Sequence, residues 1–297
     1  MSATTSSIKF VFFGTPDIAV TALDILERHA LVPTLIVTRA DAEAGRGKIL
    51  TPSPVKRWAI ERGIDVLTPQ KIDADFISEI ANTEWDVFVL VAYGMILPQA
   101  LIDLPRRGIV NMHPSLLPRL RGPSPIQSAV LTDERVTGVS VMLIDDKMDH
   151  GPVIAQAKVE IPEDEWPMRE SDLAGILAEE GATLLAETLP PWVAGTIEAI
   201  PQDESLATFT KKVRKEDGLI SLSDDPHATL LKIRAFEGWP GTYAFFERNG
   251  ARIRTAILEA HLDSAGALCI DTVKPEGKNE MPYADFLRGG ATPVDNG

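Results

Sequence analysis

An asparagine and a histidine two residues apart head a proline-rich stretch, Asn111-Met112-His113-Pro114-Ser115-Leu116-Leu117-Pro118-Arg119-Leu120-Arg121-Gly122-Pro123-Ser124-Pro125. In an extended strand, residues i and i+2 point to one face. Asn111 and His113 are therefore expected in one pocket. An amide donates hydrogen bonds without changing charge, which suits an oxyanion forming at a carbonyl. An imidazole can hold or pass a proton near neutral pH. The nearest dense source of a carboxylate to orient it is Asp145-Asp146-Lys147-Met148-Asp149-His150-Gly151. Asn, His and Asp together suit acyl or formyl transfer to an amine without a covalent enzyme intermediate. No G-x-S-x-G nucleophile motif is present. A lone histidine is more often structural, bonding a backbone carbonyl. The asparagine at i−2, the stiff loop and the acidic loop favour chemistry for His113. His29, His227 and His261 have no such company, while His150 abuts Asp149.

The elements that must position this pair can be read outward from it. Ile109-Val110 precedes the pair as a short buried strand, and the prolines that follow fix φ and restrict the residues before them. Ile8 to Phe13 reads as a first strand, ended by Gly14-Thr15-Pro16, with a helix over about Asp17 to Arg28. Leu35 to Thr38 is a second strand, and Asp86 to Val91 has the continuous apolar character of a central parallel strand. Ser53-Pro54 caps a helix through Glu61, with Val55, Trp58 and Ala59 inward. A doubly wound, mostly parallel α/β sheet follows, and such sheets place their sites at the carboxyl ends of strands. Gly14-Thr15-Pro16-Asp17 is not G-x-G-x-x-G, so a simple dehydrogenase loses its main support. Arg39 to Pro54 is a long polar segment around Gly45-Arg46-Gly47-Lys48, expected as a mobile basic loop.

Leu189-Pro190-Pro191 punctuates the chain, and beyond it the pattern turns to short β-like runs split by Asn249-Gly250 and Ser264-Ala265-Gly266. The expected organisation is a catalytic domain over 1–189, a linker over 190–207, and a small β-barrel of the oligonucleotide-binding (OB) type over 208–297. The chain of 297 residues has net charge −14, which argues against a protein coated in nucleic acid. The acid is uneven: from Ser205 onward, 12 Lys+Arg face 13 Asp+Glu. Arg39 to Arg62 carries six basic residues against three acidic, so nucleic acid could be met only through local patches. The single cysteine, Cys269, excludes an intrachain disulfide and a cysteine-built zinc site. No signal peptide or membrane-length apolar run is visible, and a cytoplasmic protein is expected.

Asn111-x-His113-Pro114-Ser115-Leu116-Leu117-Pro118, with Gly122-Pro123 and Asp149-x-Gly151, resembles the folate-dependent formyltransferase family. Phe13-Gly14-Thr15-Pro16, Ala44 to Lys48 with Thr51 to Lys56, and Ala92-Tyr93-Gly94 are similar to its branch that acts on aminoacyl-tRNA. So are Lys232 to Phe236, Trp239-Pro240-Gly241, Pro275 to Lys278 and Asp285 to Gly289. The resemblance implies 10-formyltetrahydrofolate as donor and the α-amine of methionyl initiator tRNA as acceptor. It implies Asn111 and His113 at the oxyanion, with Asp149 holding His113 and helping to move protons. Ser115, Leu116, Leu117 and Pro118 would line the folate site with Tyr93 and Gly94 nearby. Arg46 and Lys48 would meet the tRNA acceptor end, and Lys211, Lys212, Arg214 and Lys215 its phosphates. The chain departs from the family at Ile49, where a second lysine often follows Lys48, and at the acidic Asp41-Ala42-Glu43. No metal, no membrane and a monomer are expected. Two other readings use the same residues: a formyltransferase for a sugar-nucleotide amine, and a non-catalytic tRNA-binding protein.

Overall fold

The computed structural model describes residues 8–44 and 49–294. The chain runs β1 (Phe10–Gly14), α1 (Asp17–Arg28), β2 (Leu35–Val37), the pair β3 (Ala42–Ala44) and β4 (Ile49–Thr51), and α2 (Pro54–Arg62). Then come β5 (Asp65–Leu67), α3 (Ala74–Ala81), β6 (Val87–Val91), α4 (Gln99–Ile102), β7 (Ile109–His113) and α5 (Pro125–Leu131). β8 (Val136–Leu143), β9 (Val153–Glu160), α6 (Glu170–Ala194) and α7 (Pro226–Ala235) follow. The last elements are β10 (Thr242–Arg248), β11 (Ala251–Leu262), β12 (Leu268–Pro275), β13 (Met281–Pro282), α8 (Tyr283–Arg288) and β14 (Thr292–Pro293).

The chain packs as two units. The first comprises Met1–Arg121, Gly138–Val159 and Gly175–Phe209; the second comprises Gly122–Thr137, Glu160–Ala174 and Thr210–Gly297. Two segments ahead of residue 208 thus pack with the later part of the chain.

In the first unit, seven strands lie in the order β5-β2-β1-β6-β7-β8-β9. β5, β2, β1, β6 and β7 are parallel, in the registers Phe12 to Ile36, Phe12 to Val89 and Val89 to Val110. β8 runs antiparallel to β7. β1 shows why its sequence lacks polar alternation: Phe10 and Phe12 enter a core with Leu23 and Leu26 of α1, while Val11 and Phe13 enter another with Ile80 of α3 and Phe88. Apolar groups cover both faces, so both must be hydrophobic. α2 starts where its sequence marks it, Ser53 Oγ accepting from the Lys56 amide at 3.0 Å.

Two local expectations change. The basic segment after β2 contains paired strands, Ala42 opposite Thr51 and Ala44 opposite Ile49. A β-branched end, Ile-Leu-Thr, supports that extended pairing. Second, Leu189-Pro190-Pro191 does not interrupt the structure: α6 runs through Pro190 and Pro191 to Ala194. The prolines withhold donors only near the helix end, where little ladder remains to lose. Trp192 secures that end: its Nε1 donates to Arg107 O at 2.9 Å, Arg107 Nε donates to Trp192 O at 2.8 Å, and the guanidinium lies 4.2 Å from the indole centroid.

The second unit holds a five-stranded antiparallel sheet in the order β13-β12-β11-β10-β14. Asn249 and Gly250 have φ of 52° and 74° between the paired ends Arg248 and Ala251. That is the two-residue hairpin their sequence demands. Ile233 of α7, Phe246, Ile257, Val273 and Phe286 build this unit's core.

Candidate active site

β7 delivers Asn111 and His113 by strand periodicity alone. Val110 and Met112 sit in the α1 and α6 core, and Ile109 in the opposite one, so Asn111 and His113 share the Ile109 face. They are 6% and 5% exposed, an unusual burial for two polar side chains in sequence. Their backbone register is set on β8, where Asn111 pairs with Met142 and His113 with Ser140.

His113 Nε2 lies 3.1 Å from the carbonyl oxygen of Leu120. A carbonyl only accepts, so Nε2 carries the hydrogen. In the neutral ring the free lone pair is then on Nδ1. That nitrogen faces Asp149 Oδ2 at 3.8 Å, an ion-pair distance beyond hydrogen-bond length. Burial holds the His113 pKa below the ordinary histidine value, against the opposing pull of the Asp149 charge and the Leu120 bond. The resting ring is neutral at pH 7, with an open basic nitrogen beside a carboxylate that would favour its protonated form.

Asp149 sits in the turn between β8 and β9 with φ of 50°, a left-handed conformation aspartate tolerates better than most residues. Gly151 lets this turn close: a Cβ there would run into the Leu143 carbonyl. Gln202 Nε2 donates to Asp149 O at 2.9 Å and Gly151 O at 2.7 Å. Gln202 Oε1 accepts from Arg121 Nε at 3.0 Å and Nη2 at 2.8 Å. Arg121 is 2% exposed and meets Glu204 through both terminal nitrogens, at 3.1 and 2.7 Å.

The loop after β7 is held from within. Ser115 Oγ donates to Arg119 O at 2.7 Å, and Ser140 Oγ donates to Ser115 O at 2.6 Å. Ser115 is fully buried, so its hydroxyl shapes the loop. Leu117 is 5% exposed, while Leu116 and Pro118 are half-buried. Tyr93 is buried against Phe13 at a centroid distance of 5.4 Å, and burial pushes its phenol up to about 12. Its backbone carbonyl accepts from Thr15 Oγ1 at 3.5 Å, and Gly94 has φ of 75°.

The structure thus brings Asn111, His113, Asp149 and the Ser115–Pro118 loop into one frame within the first unit. Lys211, Lys212 and Arg214 are exposed in the second unit. Arg46 and Lys48 lie outside the described residues. A cavity of about 640 Å³ opens beside the β3–β4 pair, lined by Thr15, Arg39, Asp41, Ser53, Arg57 and Met95. Its wall comes from the carboxyl ends of β1, β2 and β5, and includes none of Asn111, His113 and Asp149. Arg39 and Arg57 bring two guanidinium groups to this cavity, together with the Asp41 carboxylate. Sequence reading missed Gln202, which lies in a polar stretch that reads as linker. Arg121 stands in the proline-rich loop, where its neighbours in sequence mark no role for it. Neither has a local signal, because the partners are 81 positions apart.

Residues 8–188 match the formyl transferase family model. The chain belongs to the formyl transferase family. A curated relative from Roseiflexus castenholzii, named methionyl-tRNA formyltransferase, is 38% identical to this formyltransferase over 95% of its chain and 96% of the relative's. One of the same name from Halalkalibacterium halodurans is 34% identical over 98% and 97%. Among solved structures, a methionyl-tRNA formyltransferase from Clostridium thermocellum aligns with TM-score 0.57 at 14% identity, over 90% of this chain and 98% of that one. An N-formyltransferase from Helicobacter canadensis, in complex with folinic acid and dTDP-3-aminofucose, aligns with TM-score 0.65 at 19% identity, over 86% and 88%. These two likenesses speak to the fold. Among the described residues, no helix is long and apolar enough to cross a membrane, and no group of His, Cys, Asp or Glu could hold a metal ion.

Proposed function

We propose that this formyltransferase moves the formyl group of 10-formyltetrahydrofolate to the α-amine of methionyl initiator tRNA. The full-length identity to relatives named for that reaction supports the acceptor. The observation that carries the chemistry is the buried Asn111–His113 pair with an open Nδ1 beside Asp149.

The amine nitrogen attacks the formyl carbon, and the carbonyl oxygen becomes an oxyanion. Asn111 donates its amide to that oxygen. His113 Nδ1 takes the proton released by the amine, and Asp149 stabilises the resulting imidazolium. Once protonated at Nδ1, His113 can itself donate toward the oxyanion. Collapse breaks the bond between the formyl carbon and N10 of the folate, and the proton passes from His113 to that nitrogen. The products are N-formylmethionyl-tRNA and tetrahydrofolate. Leu116, Leu117 and Pro118 offer an apolar wall to the pterin, with Ser115 fixing their loop and the Tyr93-Gly94 backbone beside them.

Arg46 and Lys48 take the acceptor end. Lys211, Lys212 and Arg214 take backbone phosphates from the second unit, whose five-stranded antiparallel sheet is read here as the core of an OB-like barrel. In this reading residues 1–189 are catalytic, 190–207 link, and 208–297 bind tRNA. All three catalytic groups come from one chain, so a monomer suffices, and a translation substrate places the enzyme in the cytoplasm. No metal is called for. The test is a formylation assay offering methionyl-tRNA and amino-sugar nucleotides in parallel. Faster formylation of the sugar nucleotide would overturn the acceptor assignment.

A further inference from the structure

We propose that Gln202 is a positioning residue for formyl transfer: its side-chain amide fixes the turn that carries Asp149, and Arg121 with Glu204 fixes Gln202. This rests on the roles given above to Asn111, His113 and Asp149.

One amide group spans two carbonyls of the same turn, Asp149 O and Gly151 O, using both of its hydrogens. The orientation of Gln202 is unambiguous. Its oxygen faces a guanidinium that only donates, so its nitrogen must face the turn. The guanidinium is spoken for on its other edge by both oxygens of Glu204, a bidentate pair with little rotational freedom. The segment bearing Gln202 is tied beside the exit of the turn, where Ile200 and Val153 exchange backbone hydrogen bonds of 2.7 and 2.8 Å. Glu204 Oε1 also lies 3.5 Å from His150 Nε2, and His150 Nδ1 lies 2.6 Å from Asp145 Oδ2. The turn is therefore braced at both its start and its end.

The same brace reaches the histidine. The carbonyl that holds His113 Nε2 belongs to Leu120, the residue before Arg121. Leu120 has φ of 56°, and its amide donates to Thr208 Oγ1 at 2.8 Å, while the Arg121 amide donates to Thr208 O at 2.9 Å. The dipeptide Leu120-Arg121 thus fixes His113 through a carbonyl and Asp149 through a side chain. His113 Nδ1 and Asp149 Oδ2 stand 3.8 Å apart, beyond hydrogen-bond length, and this frame holds the two segments that carry them. A buried arginine satisfied by one glutamine and one glutamate is a costly arrangement to maintain for packing alone.

The test uses two full-length variants, Gln202→Met and Gln202→Glu. Methionine keeps length and loses the amide. Glutamate keeps the partnership with Arg121 and sets an oxygen against two carbonyl oxygens, so it serves if the methionine variant does not fold. Each is expected to lower kcat by about tenfold to a hundredfold, with KM for either substrate within about threefold. In an Asp149→Asn background, either Gln202 change is expected to cost less than about threefold more, because the brace acts through that carboxylate. Variants with kcat within about threefold of the parent while Asp149→Asn is slow would overturn the brace and leave the catalytic reading standing. Full additivity with Asp149→Asn would also overturn it, showing a general structural role. An Asp149→Asn enzyme as fast as the parent would overturn the catalytic reading, and the brace with it.

Discussion

Replacing Asp149 by asparagine keeps the side-chain shape and removes one charge 3.8 Å from His113 Nδ1. With the side chains of His113 and Asp149 only 6% and 16% exposed, solvent screens this pair less than a surface pair. At an effective dielectric of about 20, a unit charge pair at this separation interacts by about 4 kcal/mol. That figure bounds the stabilisation Asp149 gives to a fully formed imidazolium. It corresponds to about a thousandfold in rate. Charge only partly formed in the transition state brings the expected loss in kcat to about a hundredfold. The direction on pH is also fixed. Asp149 favours the protonated ring against burial, so removing it moves the His113 pKa further down. The acid limb of kcat should then shift to lower pH in Asp149→Asn. The assay is single-turnover formylation at saturating donor and methionyl-tRNA, run across pH with thermal melts for every variant. A folded Asp149→Asn enzyme with kcat within about threefold of the parent, or with an unmoved acid limb, would refute the reasoning.

Three further outcomes follow from the same geometry. Asn111→Ala should lower kcat by about 10²- to 10³-fold at little change in KM, the cost of one oxyanion donor; a change confined to KM would place Asn111 in binding instead. The neutral, buried His113 binds fewer protons folded than unfolded below its ordinary titration range. Its contribution to stability is therefore present at neutral pH and declines as pH falls through about 6.5 and below, and urea melts of His113→Phe should lose that part of the pH dependence. Phe12→Ala, in a strand core with no exposure, should cost about 3–5 kcal/mol in urea unfolding, and a loss under 1 kcal/mol would deny β1 its central place.

How far the sequence could be read depended on whether the deciding contacts were local. β1, β6 and β7 are buried on both faces, so their apolar runs stand out. The bounds Asp17–Arg28 for α1 agree residue for residue, because a turn precedes it and an apolar stripe runs its length. The Asn249-Gly250 hairpin was legible because its turn needs two positive φ angles. α3 escaped notice: Phe76 and Ile80 stand one helical turn apart, but eight residues leave the period barely two turns in which to repeat. α7 escaped for another reason, since Thr229, Leu230, Leu231, Ile233 and Ala235 are all buried and blur its face. At the site, Asn111 and His113 were legible because i, i+2 spacing on a strand is itself geometry. The Leu120 carbonyl that fixes the imidazole was not, because any residue supplies a carbonyl. Nor was the Arg121–Gln202 contact, which joins distant parts of the chain. The reach of α6 past two prolines turned on the Trp192–Arg107 contact, again non-local.

The most direct measurement gives purified protein 10-formyltetrahydrofolate and methionyl initiator tRNA, and follows N-formylmethionyl-tRNA over time in the parent and in His113→Ala. Donor-dependent product from the parent, with the His113→Ala rate lower by at least about a hundredfold at unchanged fold, is the predicted result. Equal rates in the two proteins would contradict the account, as would an inactive parent.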